Sequence, residues 1–191
     1  RAINTPARCF QIPPRGWYGK EVFSCFKYEG VIRKAILALK YKYSSEIANE
    51  LAEVCVRKLY ALRLSPSAIL VPIPLHWYRK NFRGFNQAEE VGRIIAKEMG
   101  WQFIPDLLIR QKSTVPQVQL TGPARRQNLR GAFSLNPNYD LSAVRYHKVA
   151  SFAYPLVIFD DVLTTGSTLL EALKTLRNGG AKRIMCLTIA K

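Results

Sequence analysis

One stretch of this sequence leaves few folds open. Residues 156–168 read Leu-Val-Ile-Phe-Asp-Asp-Val-Leu-Thr-Thr-Gly-Ser-Thr. A run of large apolar side chains ends in two adjacent carboxylates, and a turn of small hydroxyl residues with one glycine follows. Leu169, Leu170, Leu173 and Leu176 then recur at helical spacing. A continuous apolar run is typical of a strand buried on both faces, as in parallel sheets. The order strand, turn, helix predicts one unit of an α/β sheet. Its two acids would lie at the C-terminal end of the strand, where open parallel sheets bind ligands. The turn would aim backbone N–H groups at one point, at the positive end of the helix dipole, which makes a phosphate cradle. The carboxylates cannot bind phosphate themselves. They need donors or cations, such as sugar hydroxyls or Mg²⁺. Left without a task, two carboxylates directly after a buried strand are costly, so a purely structural turn is the weaker reading. The parts together predict a site for a phosphorylated sugar, with Thr168 and Glu171 spaced as a capping box.

The rest of the chain is consistent with such a sheet. Val31, Ile32, Ala35, Ile36 and Leu39 form one helical stripe. A second helix is predicted over 45–62, with Ile47, Leu51, Val54, Cys55 and Leu59 inward, which makes Cys55 a core residue. Residues 68–73 read as a buried strand ending in Pro72-Ile73-Pro74, and a basic loop runs on to Gly84. A helix over about 86–100 turns Ala88, Val91, Ile94 and Ile95 inward. A weak strand is predicted at 103–109, loop at 111–124, a short helix at 124–130 and a strand at 132–135. Residues 136–153 are polar and irregular, and residues 1–30, rich in Pro, Gly and aromatics, read as loops or short strands. This organisation gives an irregular N-terminal segment, 1–30, and one domain, 31–191. The alternation of strand and helix predicts a mostly parallel sheet covered on both faces.

Composition excludes some classes and suggests partners. The 191 residues carry a formal charge of +16, and apolar types make up 48% of the chain, too many for a disordered polycation. No apolar run approaches the roughly 18 residues of a membrane span. The four cysteines, Cys9, Cys25, Cys55 and Cys186, have no pairing pattern and suit a reducing cytoplasm. No secretory signal pattern is visible, and the start at Arg1 fits a fragment or a trimmed product. Residues 1–45 net +7 and residues 105–150 net +5, whereas 46–75 balance. Clustered surplus of this kind is a footprint for phosphates, nucleic acid or anionic lipid; the plainer alternative is a soluble domain from a basic proteome.

The stretch 156–168 resembles the phosphoribosyl pyrophosphate (PRPP) signature of type I phosphoribosyltransferases and matches it throughout. The resemblance implies that Asp160 and Asp161 hold the ribose 2′- and 3′-hydroxyls as catalytic residues. It implies that Thr164, Thr165, Gly166, Ser167 and Thr168 hold the 5′-phosphate. Thr164 stands where purine-salvage members usually carry Asp, which argues against hypoxanthine or guanine salvage. Two further stretches extend the likeness: Val-Pro-Ile-Pro-Leu-His-Trp-Tyr-Arg-Lys-Asn-Phe-Arg-Gly-Phe-Asn-Gln at 71–87, and residues 110–133, which open with Arg110 and Lys112 and close on Arg-x-x-Asn-Leu-x-Gly-Ala-Phe at Phe133. With these the chain, from about Tyr28 onward, is similar to the competence protein F (ComF) family and its GntX relatives.

That resemblance implies a Rossmann-like type I phosphoribosyltransferase fold, with a central mostly parallel sheet, helices on both faces and a small basic hood. It implies a pyrophosphate loop at Pro74, Leu75, His76, Arg79 and Arg83, with Lys80 beside them; guanidinium groups suit bidentate contact with a diphosphate. His76 reads equally as a hydrogen-bond donor there or as a surface residue, and His147 as loop. Residues 111–124 correspond to a lid that excludes water, with Lys112 and Arg126, aided by Arg125, screening the departing charge as further catalytic residues. Mg²⁺ is expected to accompany PRPP, with no direct ligand from the protein and with Asp160 and Asp161 reaching it through water. The family's zinc ribbon of two Cys-x-x-Cys pairs has no counterpart in this sequence, since neither Cys9 nor Cys25 belongs to a pair; the expectation is a ribbon upstream of Arg1 or one that is lost, with 1–30 as its linker or remnant, and Zn²⁺ is not expected within this chain.

Three functions are consistent with these residues. The first is a PRPP-dependent pentosyl transferase with an unidentified acceptor. The second, favoured by resemblance, is a PRPP-binding protein of DNA uptake and natural transformation that binds single-stranded DNA and works with the competence machinery. Basic segments with Trp17, Tyr18, Phe23, Phe26, Tyr28, Tyr41, Tyr43, Tyr139 and Tyr146 would suit it, although core packing explains most of those aromatics equally well. The third is a PRPP sensor without turnover. The expected location is the cytoplasm, including the inner face of its membrane.

Overall fold

The apolar run at 156–162 becomes a central strand of the sheet, flanked on both sides and covered on both faces. The computed structural model describes residues 22–41, 44–61, 67–75, 84–111, 131–139 and 155–191. In chain order the elements are β1 (Val22–Phe26), α1 (Gly30–Tyr41), α2 (Ser45–Ala61), β2 (Ile69–Pro72), α3 (Gln87–Met99), β3 (Gln102–Phe103), β4 (Leu108–Arg110), β5 (Phe133–Leu135), β6 (Leu156–Val162), α4 (Ser167–Asn178) and β7 (Ile184–Ala190). Five strands form one sheet in the order β1-β7-β6-β2-β3, all parallel, and β4 and β5 form a separate antiparallel pair. This is the expected doubly covered parallel α/β architecture.

Alternation inside the apolar strands splits the core into two layers. Leu70, Val157 and Phe159 face α1, α2 and α3, and pack with Ile36, Leu51, Leu59 and Ile95. Ile69, Val71, Leu156 and Ile158 face the other way, against Leu169, Leu173 and Leu176 of α4 and Leu108 and Phe133 of the hairpin. A strand with an interior on both sides must be apolar at every position, which is why the sequence shows runs instead of alternation. Cys55 lies fully buried in the three-helix layer, as its spacing predicts, while Cys25 and Cys186 pack in the core as free thiols. Gly92 lets α3 approach the sheet: a Cβ there would lie 2.9 Å from Leu70 Cδ2 and 3.1 Å from Phe159 Cδ1. Helix α3 is capped at both ends, by the Asn86 side chain accepting from Ala88 N and by Gly100 in the left-handed conformation at φ 67°.

Within the segment read as loops or short strands, Val22–Phe26 forms an edge strand paired with β7, with the Ser24 and Thr188 hydroxyls 2.7 Å apart in the interior. Two features differ from the sequence expectation. The weak strand at 103–109 is two short strands in different sheets, divided by a turn at 105–106. The capping box does not form. Helix α4 is capped by Gly166 at φ 73°, and Glu171 instead accepts the backbone N–H of Gly131 at 2.7 Å. Glu171 has a distant donor to satisfy, so the local reciprocal bond loses. The expected short helix at 124–130 and the irregular stretch at 140–153 lie outside the described residues.

Candidate functional site

The chain leaves β2 through α3 toward β3, and leaves β6 through α4 toward β7. Neighbouring strands β2 and β6 thus send their connections in opposite directions, with α3 in one layer and α4 in the other. Such a reversal of strand order opens a crevice beyond the C-terminal strand ends, the usual ligand position in α/β sheets. Asp160 and Asp161 lie at the end of β6. Pro74 and Leu75, half-buried, follow β2 directly beside it, since Pro72 pairs with Phe159 and Ile73 N donates to Phe159 O at 2.8 Å. Asn86 closes the base of the connection by donating to Ile73 O at 3.0 Å. The structure therefore brings the start of the expected pyrophosphate loop next to the acidic pair. His76, Arg79, Lys80 and Arg83 lie outside the described residues, as do Lys112, Arg125 and Arg126.

The acidic pair is held by specific partners. The Asp161 backbone N–H donates to Asp160 Oδ1 at 2.9 Å. Lys40, from the last turn of α1, places its ammonium 2.7 Å from Asp161 Oδ2, with both side chains largely buried at 22% and 15% exposure. Burial pulls the Lys40 pKa down, but the charge and hydrogen bond of Asp161, with Asp160 and Tyr28 behind them, leave it above the ordinary lysine value. Asp160 moves the other way. Burial, with the charge of Asp161 beside it, pushes its pKa up to about 7, against the pull of the Asp161 amide, Lys40 and Arg110. Among the described residues, Lys40 from the three-helix side and Arg110 from the β4–β5 side act on the pair as cations, Arg110 also lying over the Phe133 ring at 5.6 Å.

The turn that follows is compact. Leu163 N donates to Ala190 O at 2.8 Å, which ties the strand end to β7. The Thr165 and Ser167 hydroxyls are 2.9 Å apart, and Leu170 N donates to Gly166 O at 2.9 Å. Thr164 is exposed, Thr165 and Thr168 are half-buried, and Gly166 and Ser167 are buried. Gly166 in the left-handed region, where a side chain would be strained, turns the chain sharply into α4. The first-turn N–H groups of any helix lack acceptors within it, so this terminus is chemically suited to an anion directly beside the acids.

Sequence reasoning missed Lys40, and quoted Arg110 and Asn86 only as parts of motifs. Lys40 sits at the end of a legible amphipathic stripe, but no local pattern announces a partner so distant in the chain. A protein-held Mg²⁺ does not fit the described residues. An ammonium already occupies Asp161, and no group of three His, Cys, Asp or Glu side chains converges among the described residues.

No protein-family model matches the chain. It is 33% identical over 187 residues to DNA utilization protein YhgH of Salmonella typhi, covering 94% of this chain and 75% of that protein. The corresponding protein of Escherichia coli K12 is 31% identical over 189 residues, with the same coverage. Competence protein F of Haemophilus influenzae is 34% identical over 168 residues, covering 82% of this chain and 67% of that protein. Two solved structures are similar at lower levels. One is an allosteric regulatory enzyme of purine biosynthesis, at 15% identity and TM-score 0.45 over 80% of this chain and 30% of that one. The other is adenine phosphoribosyltransferase from Leishmania donovani, at 16% identity and TM-score 0.38 over 92% and 86%. The chain belongs to the family of competence protein F and DNA utilization protein YhgH.

Proposed function

We propose that this chain is a PRPP-binding protein of DNA uptake. The observation that carries the reading is the pair Asp160-Asp161 at the end of β6, followed directly by the Gly166 turn into α4. Ribose hydroxyls donate to the two carboxylates, and the 5′-phosphate accepts from the N–H groups of the turn and from the Thr165 and Ser167 hydroxyls. The diphosphate extends toward Pro74 and Leu75 at the end of the neighbouring strand. In this reading Mg²⁺ would enter with PRPP and supply positive charge to the departing pyrophosphate, with Asp160 and Asp161 reaching it through water. In a turnover event, the bond from the anomeric carbon to the pyrophosphate oxygen breaks and its electrons leave with pyrophosphate. An acceptor lone pair then forms the new bond. The protein contributes orientation and charge stabilisation.

Calorimetry with PRPP and Mg²⁺ tests the site. The wild type binds, and Asp160→Asn with Asp161→Asn loses affinity by at least about 100-fold, as expected for losing hydrogen bonds to two charged groups. A wild type that gives no heat, or a double variant that binds unchanged, overturns the reading. Pyrophosphate release with candidate bases and amines separates a transferase from a sensor.

The DNA side of the proposal is supported by the relatives, named for competence and DNA utilization. It is supported too by Lys27, Arg33 and Lys34, exposed on or beside α1, and by Tyr41, 76% exposed at its end. Such a surface suits phosphate neutralisation with base stacking. Phe23 is core, Phe26 lies under Lys58 and Tyr139 bonds to Asp106, so these three are committed to the fold; Trp17, Tyr18, Tyr43 and Tyr146 lie outside the described residues. Fluorescence anisotropy with a single-stranded oligonucleotide at two salt concentrations checks it. Binding that weakens with salt is expected, and no binding at low salt removes it.

A further inference from the structure

The acidic pair has a partner that the proposed reading does not use. Lys40 is carried to it by α1, on the layer opposite α4, and meets Asp161 Oδ2 at 2.7 Å with little exposure on either side. Its reach is set by packing: Ile36 and Leu39, each 1% exposed, seat the last turns of α1 in the three-helix layer, so the ammonium is delivered by a rigid element. A bare pair of neighbouring carboxylates at a strand end is an attractive place for a hard divalent cation, which prefers oxygen ligands. Here a fixed positive charge stands on one of the four carboxylate oxygens, and a further cation at that oxygen would meet both repulsion and a filled position.

We propose that Lys40 is the resident counter-ion of the acidic pair and a positioning residue for it, standing at Asp161 in the place that a divalent cation would otherwise take. The relevance of this to sugar binding rests on the PRPP reading above; the charge arrangement itself does not. The protonation balance agrees with it. With Asp160 raised to about 7 by burial and by Asp161, the pair carries less than two negative charges at neutral pH, and Lys40 and Arg110 offset what remains. The Lys40 contact engages Oδ2 of Asp161 and the amide contact engages Oδ1 of Asp160, so each carboxylate is oriented through one oxygen. The second oxygen of each is the one a hydroxyl donor would meet. The consequence is a ligand-free protein whose pair stays oriented without metal and does not have to lose one before the sugar enters.

The test uses Mn²⁺ alone on the ligand-free chain, with binding followed by electron paramagnetic resonance. Wild type and Lys40→Arg are expected to bind Mn²⁺ weakly and equally. Lys40→Met and Lys40→Gln are expected to bind at least tenfold more tightly, and adding Asp161→Asn to either should abolish the gain. Two neutral replacements, one apolar and one able to hydrogen-bond, keep the test open if either fails to fold, as judged by circular dichroism. Neutral variants that bind Mn²⁺ no more tightly than wild type overturn the inference, as does a gain that survives Asp161→Asn. Because PRPP is absent, the outcome stands apart from the calorimetry: a wild type blind to PRPP sinks the proposed function, and the Mn²⁺ series decides the role of Lys40 regardless.

Discussion

The two faces of the sheet are covered by different means. One is closed by α1, α2 and α3, helices whose apolar stripes recur locally along the chain. The other is closed by α4 together with β4 and β5, strands that come from separate parts of the chain. The helical layer is packed along whole helix faces, α2 against α3 above all, with Tyr60 Oη donating to Glu98 O at 2.9 Å, and it delivers Lys40. The hairpin layer is held by individual long-range bonds: Gly131 N to Glu171 at 2.7 Å, Thr175 Oγ1 to Phe133 O at 3.4 Å, Gln111 N to Ala132 O at 2.9 Å. It delivers Arg110. The acidic pair lies where the layers meet, so its electrostatics depend on both while neither alone contains the site.

Substitutions can test this contrast. The largest effect is expected for Phe159→Ala, which empties a fully buried position in the helical layer. It should cost about 3–5 kcal/mol in chemical denaturation, as one cooperative transition. A variant that leaves the transition midpoint unmoved would show that this layer does not carry the fold. Gly92→Ala is next. Its Cβ would press on Leu70 and Phe159, and overpacking of that kind costs about 1–3 kcal/mol; a neutral result would mean that α3 can shift freely over the sheet.

The site should also report through pH. The raised pKa of Asp160 means that the folded chain binds more protons than the unfolded one between the ordinary carboxylate range and about pH 7. Stability should therefore fall as pH rises through that window. Over the top of that window, from pH 6 to 7, the contribution is about 1 kcal/mol at roughly 1.4 kcal/mol per pKa unit. Asp160→Asn should flatten that part of the stability profile, and a profile that keeps its slope would place the titration elsewhere. Smallest is Glu171→Ala, which removes one anchor of the hairpin layer at a cost of about 1 kcal/mol. Faster hydrogen exchange at Gly131 and Gln111, with little change in global unfolding, is the expected signature; uniform destabilisation would make the two layers one unit.

Much of this protein is legible locally. A strand buried on both faces must be apolar throughout, so 68–73 and 156–159 announce themselves as central strands. Helices that cover a sheet must repeat their apolar residues near 3.6, so the cores of α1, α2, α3 and α4 follow from spacing. The acidic pair and the Gly166 turn are contiguous in the chain, and contiguity is what makes a motif readable. Pairings between distant segments are different. An edge strand such as Val22–Phe26 has no long apolar run, and only its partner β7 makes it a strand. Glu171 looks like half of a capping box until Gly131 is brought to it by the hairpin.

What the sequence alone determined was the kind of site: two acids, a hydroxyl-rich turn and a helix start, in that order, at a sheet's C-terminal edge. What only the tertiary structure decided was the charge state and company of those acids. Lys40 meets Asp161 from one layer and the charge of Arg110 acts on Asp160 from the other, and burial lifts Asp160 while Lys40 holds Asp161. Proton affinities and ion pairs depend on distance and exposure in space, and spacing along the chain encodes neither when the partners arrive on different elements.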